Sequence, residues 1–179
     1  MTETIDGARW SREELEGAYQ NWYKTINEAA SGQASWEEFL ALYTDDVVYH
    51  DQIQGDLEGR ESVRQWASMA LDSFPGDQFR FPEIWHAIDE TQGLVIAQIK
   101  NEMVDPGDGV VAWEPHISVM TYAGEGRFSA QTDAYDVESF LTMIKEWGTR
   151  AMKAGFLDAE QRGWYEMVYP ETVPDEVAS

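Results

Sequence analysis

Apolar residues near the start of the chain recur every three or four positions. Leu15, Ala18, Tyr19, Trp22, Tyr23, Ile26 and Ala30 share one face of a helix. Ser11-Arg12-Glu13-Glu14 reads as a capping box before it, and Ser31-Gly32 ends it. A second box, Ser35-Trp36-Glu37-Glu38, opens a shorter helix that buries Trp36, Phe39, Leu40 and Tyr43, and Thr44-Asp45-Asp46 reads as a turn. Residues 47–51 are β-branched, aromatic and few, which predicts a strand with Val47, Tyr49 and Asp51 on one face and Val48 and His50 on the other. Gly55 and Gly59 punctuate a loop, after which Val63, Trp66, Ala67, Ala70 and Leu71 return to helical spacing until Phe74-Pro75-Gly76-Asp77.

From Phe79 the period is two. Strands are predicted over 79–88, 94–104, 110–122 and 127–136, with separators short enough for consecutive antiparallel hairpins. Asp136 caps a last helix whose inward face is Val137, Phe140, Leu141, Ile144, Trp147 and Ala151, with Gly155 at its end. The stretch 164–169 carries Trp164, Tyr165, Met167, Val168 and Tyr169. That is too aromatic for a free tail, so it is expected to dock on the body or on a second subunit, while 174–179 frays. The order α-α-β-α-β-β-β-β-α defines an α+β fold: a cone-shaped, curved antiparallel sheet with helices on its concave face, enclosing a cavity. The expected division is an arm over 1–10, a cone domain over 11–155 and an acidic, aromatic tail over 156–179.

Charge narrows the partners. In 179 residues there are 34 acidic against 12 basic side chains, a net charge of -22, which argues against nucleic acid because phosphate binding needs clustered Lys and Arg. Anionic membranes are disfavoured for the same reason, and no apolar run reaches the roughly 18 residues of a span. A cytoplasmic protein is expected, with no membrane partner. Cysteine is absent, which removes disulfides, thiolate metal sites and a Cys nucleophile. Eight Trp, eight Tyr and seven Phe favour either a well-filled core or a pocket for an apolar ligand. His50, Asp51, His86 and His116 lack the close spacing of known metal sites, so neither metal nor other cofactor is expected.

The stretch 42–66, with Tyr43-Thr44-Asp45-Asp46, then Tyr49-His50-Asp51 and two glycines before a helix, resembles the nuclear transport factor 2-like superfamily of SnoaL-like cyclases, ketosteroid isomerases and limonene epoxide hydrolases. The likeness spans about 14–147. It implies a homodimer and a small hydrophobic, oxygenated substrate. In the isomerase branch the acid closing this first strand is the proton-shuttling base, and Asp51 stands there; the alternative is that Asp51 only caps the loop before Gly55. Ser118 and Trp22 fall where that branch has its oxyanion donors, with Tyr19 one turn earlier, so the isomerase's own donors are replaced. In the hydrolase branch Asp133 matches the catalytic acid and Tyr49 a water-positioning tyrosine, and Lys100 and Glu102 stand at the alternate spacing of an Arg and Asp partner.

The candidate catalytic set is therefore Asp51, His116 and Asp133, with Tyr19, Trp22, Tyr49, Trp66, Trp85, Lys100, Glu102, Glu114, Ser118 and Tyr135 as substrate-binding candidates. His116 could instead pair with Glu114 or Asp133 on a wet outer face. Three functions fit: a cofactor-independent acid-base isomerase, cyclase, dehydratase or hydratase; an epoxide hydrolase; or a non-catalytic binding or dimerisation module.

Overall fold

The computed structural model describes residues 9–170. Helix α1 (Arg12–Ala30) starts where Ser11 accepts from the Glu14 amide, but Glu14 does not reach back; its carboxylate accepts instead from the Tyr122 hydroxyl, so the first capping box is half made. The second box is complete at α2 (Trp36–Leu40). Tyr43 is not part of that helix. It opens strand β1 (Tyr43–Asp51), and Thr44-Asp45-Asp46 is an irregular stretch inside the strand rather than a turn, marked by a register shift against its neighbour.

The segment read as a loop folds back as β2 (Gly55–Glu58), hydrogen-bonded antiparallel to β1. Gly59, at φ 79, is the hinge into α3 (Arg60–Ala70). A left-handed φ there admits glycine with little cost. The strand predicted over 79–88 is two strands, β3 (Phe79–Arg80) and β4 (Glu83–Asp89), because Pro82 lies between them and has no amide to give a ladder. Then follow β5 (Leu94–Met103), β6 (Trp113–Gly124), which starts later and ends later than predicted, and β7 (Arg127–Ala134). Helix α4 (Val137–Lys153) is capped by Asp136, which accepts from the Ser139 amide at 2.7 Å.

The seven strands run β2-β1-β7-β6-β5-β3, with β4 also on β5. All neighbours are antiparallel except β1 and β7, which pair in parallel; the meander closes back onto the first strand, so the sheet is mixed. Buried positions alternate along β5, β6 and β7, and the inward faces are Val95, Ala97, Ile99, Asn101 and Met103; His116, Ser118, Met120 and Tyr122; and Phe128, Gln131 and Asp133. Helix α1 crosses β3 to β5, α3 lies on β1 and β2, and α4 on β6. Trp147 fixes α4 by donating its indole N–H to the Val104 carbonyl at 2.7 Å. Fully burying such a side chain contributes about 1.5–3 kcal/mol.

The tail docks on the body, as a helix that its periodicity did not announce. Helix α5 (Ala159–Val168) begins at a complete capping box, Asp158 with Gln161. Its Tyr165 is fully buried against α4, where Gly148 leaves room for the ring, and donates to the Lys145 carbonyl. Residues 174–179 lie outside those described, as do 1–8 of the arm. No described helix is long and apolar enough to cross a membrane.

Candidate active site

The helices hold the concave sheet face open around a cavity of about 400 Å³, within the range of small-ligand sites. Its polar wall comes from four adjacent strands. Tyr49 is opposite Gln131 and His50 opposite Thr132, so Asp51 and Asp133 take neighbouring inward positions on β1 and β7. Asp133 is paired with Ser118, which places His116 diagonally beside it on β6. His116 is paired with Ile99, which places Asn101 diagonally beside it on β5. Strands are about 4.8 Å apart, so the row runs from two carboxylates at one end to an imidazole and an amide at the other. All four line the cavity, and each is at least nine-tenths buried.

Each carboxylate is oriented by three donors. Asp133 Oδ1 accepts from the Ser118 hydroxyl at 2.6 Å and the Gln131 amide at 2.9 Å, and Oδ2 from the Tyr49 hydroxyl. The chain continues outward: the Trp22 indole donates to Tyr43 at 2.8 Å and Tyr43 to Gln131 at 2.6 Å. Burial, reinforced by the Asp133 charge, raises the Tyr49 hydroxyl well above the ordinary phenol range, so it remains a donor. Asp51 Oδ1 accepts from the Ile53 and Gln54 amides at 3.0 and 2.8 Å, and Oδ2 from Tyr135 at 2.9 Å. Asp51 therefore caps its loop and faces the cavity at once.

The His116 ring has no hydrogen bond among the described residues, and its Nδ1 is sealed from solvent. Burial lowers its proton affinity, against a smaller opposing pull from Asp133, so the ring is neutral at neutral pH. An orphaned N–H costs more than an orphaned lone pair, which favours the tautomer with the proton on Nε2.

Several expected site residues lie elsewhere. Tyr19 is buried in α1 but donates to Glu83, with its ring centroid 4.5 Å from that of His86 at a 40° tilt, outside the cavity. Helical periodicity does not separate core from pocket, and this ring belongs to the core. Trp85 is on the outer face, 43% exposed, donating to Gln98. Lys100 and Glu102 occupy the outward positions of β5, paired with each other at 3.8 Å, with Lys100 over the Trp113 ring. The inward positions beside them are Ile99 and Asn101, so the cationic and acidic partners required by the hydrolase resemblance are an isoleucine and an amide. Glu114 lies beyond the cavity, in a separate groove between β6 and α4. Ser118 is fully buried behind Asp133, and Trp22, Tyr49, Trp66 and Tyr135 do line the cavity. Sequence reasoning passed over Asn101, Gln131 and Tyr43, and did not foresee that Trp164, Val168 and Tyr169 of the docked tail form one wall of the mouth. No group of three or more potential metal ligands occurs among the described residues.

His86 is the electrostatic opposite of His116. Its ring nitrogens meet Glu83 and Glu16, both at 3.1 Å, and although burial opposes the charge, these carboxylates outweigh it and raise its proton affinity. The His86 contribution to stability is present below about pH 6.5 and lost as pH rises through its raised folded value. For His116 the sign reverses: the unfolded ring binds a proton first, so stability is full above about pH 6.5 and falls with pH down to the lowered folded value. On acidification from pH 7.5 to 5, wild type should lose Tm relative to His116→Leu and gain Tm relative to His86→Leu. Thermal melts at the two pH values check both signs.

The model of the SnoaL-like domain matches residues 19–131, and the chain belongs to that family. Solved structures share the fold. Bal32a, from a soil-derived mobile gene cassette, is 17% identical with a TM-score of 0.58, covering 74% of this chain and 97% of that one. A protein of Jannaschia sp. CCS1, provisionally named a SnoaL-like polyketide cyclase, is 16% identical with a TM-score of 0.59, covering 77% and 97%. An epoxide hydrolase of the LEH-like type from M. tuberculosis is 15% identical with a TM-score of 0.53, covering 75% and 92%. At such identities the likeness carries the fold alone. No curated protein matches the chain in sequence.

Proposed function

We propose that this protein is a cofactor-independent acid-base enzyme that isomerises, cyclises, dehydrates or hydrates a small hydrophobic oxygenated molecule. The observation that supports it is the convergence of Asp51, Asp133 and His116, each at least nine-tenths buried, on one largely apolar cavity. A carboxylate fixed by three donors needs little reorganisation to take a proton from a ligand carbon, and enclosure by aromatic walls keeps competing water out. Asp133, adjacent to His116 in the row, is assigned as the base. Asp51, one strand further, exchanges a proton at a more remote atom. His116, neutral with its proton on Nε2, donates a hydrogen bond to the ligand as negative charge grows there. Related folds named for polyketide cyclisation agree with this class of chemistry.

Epoxide hydrolysis is the weaker reading. The Tyr49 and Asp133 contact suits a water-activating acid, but Ile99 and Asn101 supply neither the cation nor the proton that opening an epoxide asks for.

The test is proton exchange in D2O on a panel of cyclic ketones, enones and polyketide mimics, followed by NMR. Enzyme-dependent, stereospecific deuterium uptake that Asp133→Asn suppresses supports the reading. Uptake equal to buffer for every panel member, or unchanged in Asp133→Asn, removes it.

A further inference from the structure

Two buried polar side chains in the cavity are not used by the protein's own hydrogen bonding. Asn101 is 9% exposed and His116 7%, both line the cavity, and neither side chain has a hydrogen-bond partner among the described residues; His116 Nδ1 is sealed from solvent, whereas the Asn101 amide and His116 Nε2 open onto the cavity. This contrasts with the other end of the row, where every carboxylate oxygen is engaged. Once a ligand covers them these groups need a partner, because leaving a buried amide or imidazole N–H unpaired costs about 1–3 kcal/mol. Here the two unpaired groups are diagonal neighbours on β5 and β6, on the same inward face. An amide N–H and an imidazole N–H side by side match the two lone pairs of one oxygen atom.

Charge refines the match. The residues lining the cavity include no Lys or Arg, and their charged members are Asp51 and Asp133. A carboxylate or phosphate on the ligand would meet two like charges with no cation to offset them. A neutral oxygen does not.

We propose that Asn101 and His116 form the oxygen-binding end of the pocket, and that the ligand is a neutral, carbonyl-bearing molecule lying across the strands with its carbonyl against this pair and its acidic C–H bonds toward Asp133. This rests on the reading of the cavity as the reaction site. Asn101 is then a substrate-orienting residue that cannot itself give up a proton, which separates it from an acid at the same place. Held this way, the carbonyl is polarised by neutral donors alone, and specificity against the matching hydrocarbon comes from the two groups left unpaired when no oxygen is present.

The experiment compares three bicyclic probes of similar shape: α-tetralone, tetralin and naphthoate. Affinities are measured by tryptophan quenching and calorimetry, and the carbonyl stretch of bound α-tetralone by infrared difference spectroscopy. The wild type should bind α-tetralone at least about tenfold tighter than tetralin, bind naphthoate weakest, and lower the carbonyl stretch relative to hexane. Asn101→Leu should shrink both the ketone preference and the stretch shift, the remainder resting on His116, with tetralin itself little changed. The proposal is overturned if ketone and hydrocarbon bind alike, if naphthoate binds best, or if Asn101→Leu leaves the ketone preference undiminished. Should that variant not fold, an unshifted stretch in the wild type overturns it alone. Binding of none of the probes overturns this inference and the pocket reading together. A ketone preference that depends on Asn101, without deuterium uptake, upholds the inference and removes only the enzymatic reading.

Discussion

Replacing Asp133 with asparagine should lower turnover by about 10²–10⁴-fold, the range for loss of a positioned general base, while ligand affinity changes little. The same substitution has a structural cost that must be separated from the chemical one. Asp133 accepts from Ser118, Gln131 and Tyr49; asparagine offers one acceptor oxygen and turns an NH2 group toward a donor. One mismatched buried donor costs about 1–3 kcal/mol, visible as a lower Tm. Single-turnover rates below the melting range isolate the chemistry. Gln131→Leu or Ser118→Ala disturb the same network without removing the base, and should lower Tm by a comparable amount with a far smaller loss of rate. If these variants lose as much rate as Asp133→Asn, Asp133 holds the scaffold and does not take the proton.

The second large effect is expected at Gly148. In an exposed helix interior, glycine to alanine stabilises by about 1 kcal/mol. Here the sign should invert. A Cβ at Gly148 would lie 1.9 Å from Tyr165 Cε2 and 2.2 Å from Cζ, and that ring is pinned by its hydroxyl on the Lys145 carbonyl. Gly148→Ala must push α5 off α4, losing burial worth about 3–5 kcal/mol and roughly 10 °C in Tm. Because Trp164, Val168 and Tyr169 come away with it, one wall of the cavity opens. Hydrogen exchange across 159–168 should accelerate and probe affinity should fall. Tyr165→Ala removes the obstacle, so the double variant should be no less stable than Tyr165→Ala alone. Additive losses would show that the ring and the glycine are not in conflict.

Strand parity carried most of the site. Tyr49, Asp51, His116 and Asp133 point inward because their strands are regular and their apolar neighbours share that face. The same parity, applied to Val95, Ala97 and Ile99, places Asn101 inward. The hydrolase resemblance points instead to Lys100 and Glu102, one residue out of phase on each side, and a shift of one residue exchanges the two faces of a strand. Other features had weaker signals. Strand β2 reads Gly55-Asp56-Leu57-Glu58, with little β propensity, and exists because β1 offers it an edge. Helix α5 did carry its start in Asp158 and Gln161, but its apolar residues lack a clear stripe because Tyr165 packs inward while Met167 stays exposed. Trp85 is a pocket candidate for being aromatic and Tyr19 for lying one turn from the isomerase branch's oxyanion position, and neither property says which side of a helix or sheet a ring occupies.

The parallel seam between β1 and β7 also fixes when the site comes into being. Tyr49 and Asp133, 84 residues apart, meet only across it, and Asp51 and Asp133 face each other on its two sides. Hairpins β5 to β7 can form early from near neighbours, whereas the seam must wait for the loop-closure entropy of the intervening chain to be overcome. Sheet closure and assembly of the carboxylate pair are therefore one event. A nascent chain that has not reached Asp133 holds Asp51 without its companion, and any fluctuation that parts β1 from β7 separates the two carboxylates while leaving the β5 to β7 hairpins paired.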